Sequence, residues 1–599
     1  MPSFKLKTSA MRHLALGVWL FSGAWSFGVG TSANLEVEFA TKFNQTPLSF
    51  DKLINQTAAG QKISVTRLDF LLSNLALQRA DGTWIGQPNW FAYISAREGR
   101  TNFTMADVPV GNYDRVRFQI GVEPAVNHGN ATQWPAEHPL NPQVNHLYWD
   151  WSHEYIFFAL EGGWQNGSQQ SGFSYHLATD RELMTIELPV GLDLSVDRKM
   201  QLVLDAGKIF TAPNKIKLSE TTDTSHSRTN DLLAVQLREN VAAAFSIGTL
   251  ETVVRHVPDS PAGAKLNGTF KMAPSATPYH LTVSAFAPQP DLPRDNPLTV
   301  EGVSLGSQLF FDRRLSAGDR QSCANCHDPH LAFAQPRRFS RGVDGVLGTR
   351  NAMPLENLAW KSAFFWDGRA ATLREQVLQP IQNPVEMHES LANAVAKISA
   401  DPDYHRRFAG AFGSPEITTD TIARALEQFL LVQVSFDAKF DRVMNGREKF
   451  TASEQRGYEL FNTEYDPYHG QYGADCFHCH GGPLFQSQSF ANNGLDSVFR
   501  DLGRYQATKQ AGDGGKFAVP SLRNVAMTAP YMHDGRFRTL NEVVQHYCTG
   551  MKRSATLDPN LAKHPDGGVP LSLDDQRALV AFLKTLTDEK FLPTARIID

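Results

Sequence analysis

Cys323-Ala324-Asn325-Cys326-His327 and Cys476-Phe477-His478-Cys479-His480 repeat one pattern, Cys-x-x-Cys-His, 153 residues apart (476 − 323). In this pattern two thiols add to the vinyl groups of a haem, and the adjacent imidazole ligates the iron from one side. Two complete copies argue against a zinc knuckle or a redox dithiol. The sequence therefore predicts two covalently bound haem c groups, on Cys323 and Cys326 with His327, and on Cys476 and Cys479 with His480. His478, between two of the cysteines, reads as a bystander. Cys548 is the fifth and last cysteine, so no intrachain disulfide framework is available.

Working outward, each motif predicts a small helical lobe. Thr418–Val434 carries Ile422, Ala425, Leu426, Phe429 and Leu430 at helical spacing. Leu571–Leu586 offers Ser572 as an N-cap before Asp574 and Asp575. Residues 34–255 read differently. Val116, Phe118, Ile120 and Val122 alternate with Arg115, Arg117, Gln119 and Gly121, the period of a half-buried strand. Similar runs lie at Ile63–Leu77, Leu183–Leu194 and Met200–Ile209. Between the two textures, residues 256–296 are crowded with proline and favour an extended segment. The fold class expected is thus multidomain. An N-terminal all-β domain, an antiparallel sandwich or barrel, precedes two mainly α-helical cytochrome c lobes at 297–450 and 451–599.

At 599 residues the chain is too long for one core. Lys5, Lys7 and Arg12 precede a short apolar run, Leu14 to Trp25, and Thr31-Ser32-Ala33 offers a cleavage point, so residues 1–33 read as a signal peptide. The mature protein is expected in the periplasm without a membrane span. The net charge is −5, and −8 without that segment (−5 − 3), which gives no basic patch for nucleic acid.

Residues 297–599 resemble the di-haem cytochrome c peroxidase family, and within it the MauG and MbnH branch. The motifs carrying this are Asn296-Pro297-Leu298 with Gly302 and Leu305-Gly306; Leu309-Phe310-Phe311-Asp312; Phe365-Trp366-Asp367-Gly368-Arg369; Asn383-Pro384-Val385-Glu386-Met387; and Val519-Pro520-Ser521-Leu522-Arg523-Asn524 leading to Ala529-Pro530-Tyr531-Met532-His533-Asp534-Gly535-Arg536. The resemblance implies hydrogen peroxide as oxidant. It implies that Trp366 lies between the haems, and that Gln376, Pro380 and Glu386 line the distal side of the first one. Glu386 is then the acid/base that moves a proton between the peroxide oxygens. It also implies a Ca²⁺ site at Asn351, Thr528 and Pro530.

Tyr547 is the most informative position. Peroxidases of this family place a methionine fourteen residues after the histidine matching His533, as sixth ligand of the second haem. Here that position holds tyrosine, as in the MauG and MbnH branch, which uses two oxidising equivalents on a protein tryptophan. Phe339–Asn351 contains no histidine to close the first haem, which is expected to keep an open face.

The β half resembles the MbnP family of copper proteins, related to MopE and CorA. The stretches are Gly121-Val122-Glu123-Pro124 with Val126-Asn127-His128; His138-Pro139-Leu140-Asn141-Pro142; Tyr148-Trp149-Asp150-Trp151-Ser152-His153 before Tyr155; and Tyr175-His176-Leu177. In that family a tryptophan becomes kynurenine and joins two histidines on copper. Strand periodicity would put Trp151 and His153 on one face, with His176 as second histidine and Trp149 as the rival for modification. His128, His138 and His146 are further candidates. The expectation is a peroxide-driven oxidation of Trp151 (or Trp149) by the chain's own haem half. The alternatives are a peroxidase supplied with electrons by a small redox protein, or a copper-binding electron-transfer protein with no enzymatic activity.

Overall fold

The computed structural model describes residues 32–149, 152–167, 169–253 and 276–594. Residues 1–31, most of the expected signal peptide, lie outside them, as does Trp151. Among the described residues no helix is long and apolar enough to cross a membrane.

The N-terminal half is built from two sheets. In one, Phe245–Thr252, Arg198–Asp205, Ser32–Phe43 and Thr46–Pro47 lie side by side, and Asn102–Pro109 also pairs with Ser32–Phe43. In the other, the long strand Lys62–Arg79 sits centrally between Asn112–Ile120 and Glu154–Asn166, with Met184–Asp193 and Gln169–Ala178 outside them. The alternation read from the sequence holds: Val116, Phe118 and Ile120 are buried while Arg115 is exposed. The inward side chains form an aromatic core. Phe39 of the first sheet meets Phe70 and Phe118 of the second edge-on, with ring centroids 5.4 and 6.2 Å apart.

Two features correct the expectation of a purely antiparallel β domain. Ser32–Phe43 pairs in parallel with Arg198–Asp205, from Leu35 opposite Arg198 to Lys42 opposite Asp205. The helix Leu232–Ala243, capped by Asp231, also belongs to this half and buries Leu237 and Val241 on the β core. A parallel neighbour needs a long crossover, and 154 residues lie between Phe43 and Arg198 (198 − 43 − 1).

The C-terminal half is helical. The expected helix is Thr419–Leu431, with Thr418 and Thr421 in a capping box. Ser572 accepts the Asp575 N–H at 3.1 Å and starts Leu573–Lys584. Each haem lobe is built on one helix crossing, and the two crossings share chemistry. In Val300–Phe311, a Cβ added at Gly306 would sit 1.9 Å from the Ala425 carbonyl oxygen and 2.7 Å from Phe429 Cβ. In Ala452–Phe461, a Cβ at Gly457 would sit 2.0 Å from the Ala578 oxygen and 2.7 Å from Phe582 Cβ. Only glycine lets the backbones approach this closely. This shared crossing, a glycine seated on Ala-x-x-x-Phe, is a trace of lobe duplication that the sequence alone shows only weakly.

The halves are docked, not loosely strung. The described part of the proline-rich segment touches both: Trp360 Nε1 donates to Pro288 O (2.7 Å), and Thr132 Oγ1 donates to Ala285 O (3.0 Å). Arg97 pairs with Asp513 and Arg228 with Asp466 across the junction. One apolar cluster spans it, containing Leu71, Trp149 and Phe157 from the β half and Phe477, Phe485 and Leu579 from the helical half.

Candidate functional site

The helical half encloses a cavity of about 1250 Å³. The first motif forms a tight turn, Cys323–Asn325, on its wall, with Ser322 and Asn325 in a capping box. His327 Nδ1 donates to Phe333 O at 2.9 Å. A ligating histidine usually donates one ring N–H in this way and turns the other nitrogen, here Nε2, to the iron. The second motif repeats it: Cys476–His478 is a tight turn, and His480 Nδ1 donates to Phe485 O at 3.2 Å. Burial lowers the pKa of His327, and that of His480 to about 4, so both rings are neutral at neutral pH. A neutral imidazole beside paired thiols fits covalently held haem in both turns, and the first of them opens on a large cavity.

The cavity is lined by Trp366, Gln376, Pro380 and Glu386. Gln376 and Pro380 come from the helix Leu373–Gln382, and Glu386 from the turn after it. Burial raises the Glu386 carboxyl above its ordinary range, with Arg369 working the other way. A carboxyl raised in this way is better able to hold a proton and return it than an exposed one. Trp366 Nε1 donates to Asn351 O at 2.9 Å, which holds the indole at the cavity wall. The Asn351 amide group donates to Arg337 O and Arg338 O, leaving its Oδ1 for a cation. Thr528 Oγ1 instead donates to Val525 O.

Tyr547 lies in the π-helical turn His546–Gly550, and its hydroxyl accepts from Asn493 Nδ2 at 3.4 Å. Burial raises its pKa, and the thiols of Cys479 and Cys476 add to the shift. The phenol therefore lies near the second haem-bearing pair. His330 is exposed, away from any such role.

The β half brings a second group of residues to the junction. The hairpin strand Tyr148–Trp149 pairs with the start of Glu154–Asn166, and Trp149 is buried. Ser152 and His153 are in a turn: His153 has φ 57°, its N–H donates to Trp149 O at 2.8 Å, and its side chain is exposed. His153 is therefore exposed in a turn while His176 is buried in a strand, and Trp151, the third residue of the expected copper site, lies outside the described residues. Positions 152 and 153 are in the turn, so the two-residue period does not apply there.

His176 meets a different set. Ser174 and Tyr175 pair in parallel with Thr224 and Ser225, which sets His226 beside His176. Their ring centroids are 4.8 Å apart. His478 of the haem half completes the group, 5.6 Å from His176 and 5.0 Å from His226. Trp149 packs on it, 5.8 Å from His226 and 6.2 Å from His176. Carboxylates hold the rings from behind. His176 Nε2 donates to Glu161 at 2.9 Å, His226 Nδ1 lies 3.1 Å from Glu464, and His478 Nε2 lies 3.3 Å from Glu464. Lys563 bridges Glu464 and Asp475. Burial opposes charge on His478, but Glu464 and Asp475 outweigh it and raise the ring to about 9. Burial lowers His176 and His226.

His128 pairs with Asp180 and His138 stacks on Trp134, so neither joins this group, and burial pushes His146 down to about 3. Sequence reasoning missed His226 and set His478 aside. The one signal available for His478 was its placement at a position that haem attachment leaves chemically free.

This architecture, two helical lobes with one Cys-x-x-Cys-His turn each, the first of them on the wall of a cavity to which both lobes contribute, is that of a di-haem c-type oxidoreductase. Residues 300–449 match the family model described as di-haem cytochrome c peroxidase, and residues 32–229 match the MbnP model. The methylamine utilization protein MauG of Methylophilus methylotrophus is 36% identical over 300 residues, covering 49% of this chain and 84% of that protein. Cytochrome c551 peroxidase of Nitrosomonas europaea is 34% identical over 299 residues, covering 49% of this chain and 82% of its own length. A solved MauG-like protein associated with microbial copper homeostasis is 34% identical and covers 53% of this chain and 97% of its own, with a TM-score of 0.47. The chain belongs to the di-haem cytochrome c peroxidase and MauG family, with an MbnP domain in front of the haem half.

Proposed function

We propose that the haem half uses hydrogen peroxide to oxidise a tryptophan of the chain's own β half, and that Trp149 is the residue oxidised. The observation carrying this is its burial at the junction, against His176 and His226, which in turn contact His478, two residues from the haem ligand His480. Haem supplies the means of taking two electrons to each peroxide. Glu386 moves the proton between the peroxide oxygens as that bond breaks. Trp366 bridges the two lobes, and Tyr547 replaces the thioether of the electron-accepting peroxidases with an oxygen donor. The balance is closed: two peroxides and one tryptophan give N-formylkynurenine and two waters, and hydrolysis then gives kynurenine and formate.

In this reading the protein works in the periplasm, where haem c is attached and hydrogen peroxide reaches it. A Ca²⁺ ion is held near Asn351, Thr528 and Pro530. Copper binds the β half through His176, whose Nδ1 is buried without a hydrogen-bond partner among the described residues.

Peptide mass spectrometry of the haem-loaded chain before and after peroxide is the test. It should show two added oxygens, then kynurenine, on the peptide carrying Trp149. Modification at Trp151 alone would keep the self-oxidation and move its target. Unmodified Trp149 and Trp151, with peroxide still consumed from an added redox protein, would replace this reading with ordinary peroxidase activity.

A further inference from the structure

We infer that His176, His226 and His478 form a single copper site shared by the two halves of the chain. The inference rests on the reading of His176 as a copper ligand, and adds that the haem half completes the coordination.

The geometry is that of a preformed metal site. One ligand nitrogen from each ring lies within 4.8 Å of the others, close enough to surround one ion. His176 Nδ1 and His226 Nε2 are buried and have no hydrogen-bond partner among the described residues. Leaving two such nitrogens unpaired in the interior is unfavourable. A metal ion satisfies both at once. Their opposite nitrogens already face carboxylates, Glu161 at 2.9 Å and Glu464 at 3.1 Å. A carboxylate behind the imidazole is the usual backing of a ligating histidine.

An ion-pair network alone does not account for this. It explains His478, which lies against Glu464 and Asp475, but it leaves the free nitrogens of His176 and His226 unused. Nor is the carboxylate side an open cation site, because Lys563 already occupies it, its side chain 4% exposed between Glu464 and Asp475. Charge nevertheless favours a cation. Arg67 and Lys563 face four carboxylates: Asp69, Glu161, Glu464 and Asp475. Three imidazoles suit late first-row metals, and copper(II) heads the affinity order among them.

His478 occupies a variable position of Cys-x-x-Cys-His, so replacing it leaves haem attachment intact. The full-length, haem-loaded chain is compared with His176→Ala, His226→Ala, His478→Ala and His478→Asn, each checked for two haems. Copper(II) ion is titrated in against a competing chelator, and the nitrogen hyperfine pattern of bound copper is read by electron paramagnetic resonance. The expected result is one tightly held copper in the parent, with affinity lowered at least about tenfold in every variant. The pattern in both His478 variants should lack one nitrogen. Parent-like affinity and pattern in both His478 variants, with loss in His176→Ala, would overturn the shared site while leaving copper on the β half. Parent-like binding in all variants, or no binding in the parent, would overturn both.

Discussion

Gly172 offers a way to move the two halves apart without touching any proposed ligand. It lies in the strand Gln169–Ala178, four residues before His176. A Cβ added there would fall 1.9 Å from the Pro559 carbonyl oxygen, on the helix Pro559–Ala562 of the haem half. Ordinary contact begins at 3.4 Å, so Gly172→Ala demands a retreat of about 1.5 Å. The obstruction is backbone and has no side chain to swing aside. Overpacking of this kind costs about 1–3 kcal/mol, which part of the junction can release by separating. Misplacement by an ångström at a reacting centre costs on the order of a hundredfold in rate. Gly172→Ala is therefore expected to slow tryptophan oxidation about 10- to 100-fold. Peroxide consumption with an added electron donor should stay near parent level, because neither Gly172 nor Pro559 lines the cavity that holds Glu386. Both rates are read on one preparation, by peptide mass spectrometry and by peroxide loss. Parent-like tryptophan oxidation with parent-like thermal stability would refute the argument that this contact sets the distance between the halves.

Glu386→Gln should lower the rate of reaction with peroxide about 10²–10⁴-fold by stopped-flow absorbance, with both haems still attached. Tyr547→Met should abolish tryptophan oxidation while sparing peroxide reduction by an added redox protein. Asp223 gives a pH test. Burial raises its carboxyl to about 7, above the ordinary 3.8. Between those values the native state holds a proton that the unfolded chain has lost, so stability falls as pH rises from about 4 to 7. Asp223→Asn should therefore stabilise at pH 8, by up to about 4 kcal/mol, and have little effect at pH 4. Equal shifts of the thermal midpoint at both pH values would reject this.

The haem half was legible because its chemistry is local. Five residues specify each attachment turn, and the Nδ1 bonds of His327 and His480 reach only six and five residues ahead. Ser572 and Thr418 were readable for the same reason, since capping is a bond within one turn. The junction was not legible. His226 reaches His176 through a two-residue parallel pairing, and His478 reaches both only when the halves dock. Neither contact leaves a periodic trace. For His153 the reason is local: strand alternation ends before it, because Ser152 and His153 lie in a turn, with His153 at positive φ.

The position of His478 has a consequence for how the protein is made. Its side chain is 3% exposed, and the residues covering it include His176 and His226 of the β half. Covalent attachment of haem needs both flanking thiols, Cys476 and Cys479, within reach of the attachment apparatus. The N-terminal half is synthesised first and has a core of its own, so it is ready to dock early. Maturation must therefore run against the order of synthesis: the later segment receives its haem before the earlier one closes over it. A β half that docked too soon would shield the motif and leave a folded chain with one haem.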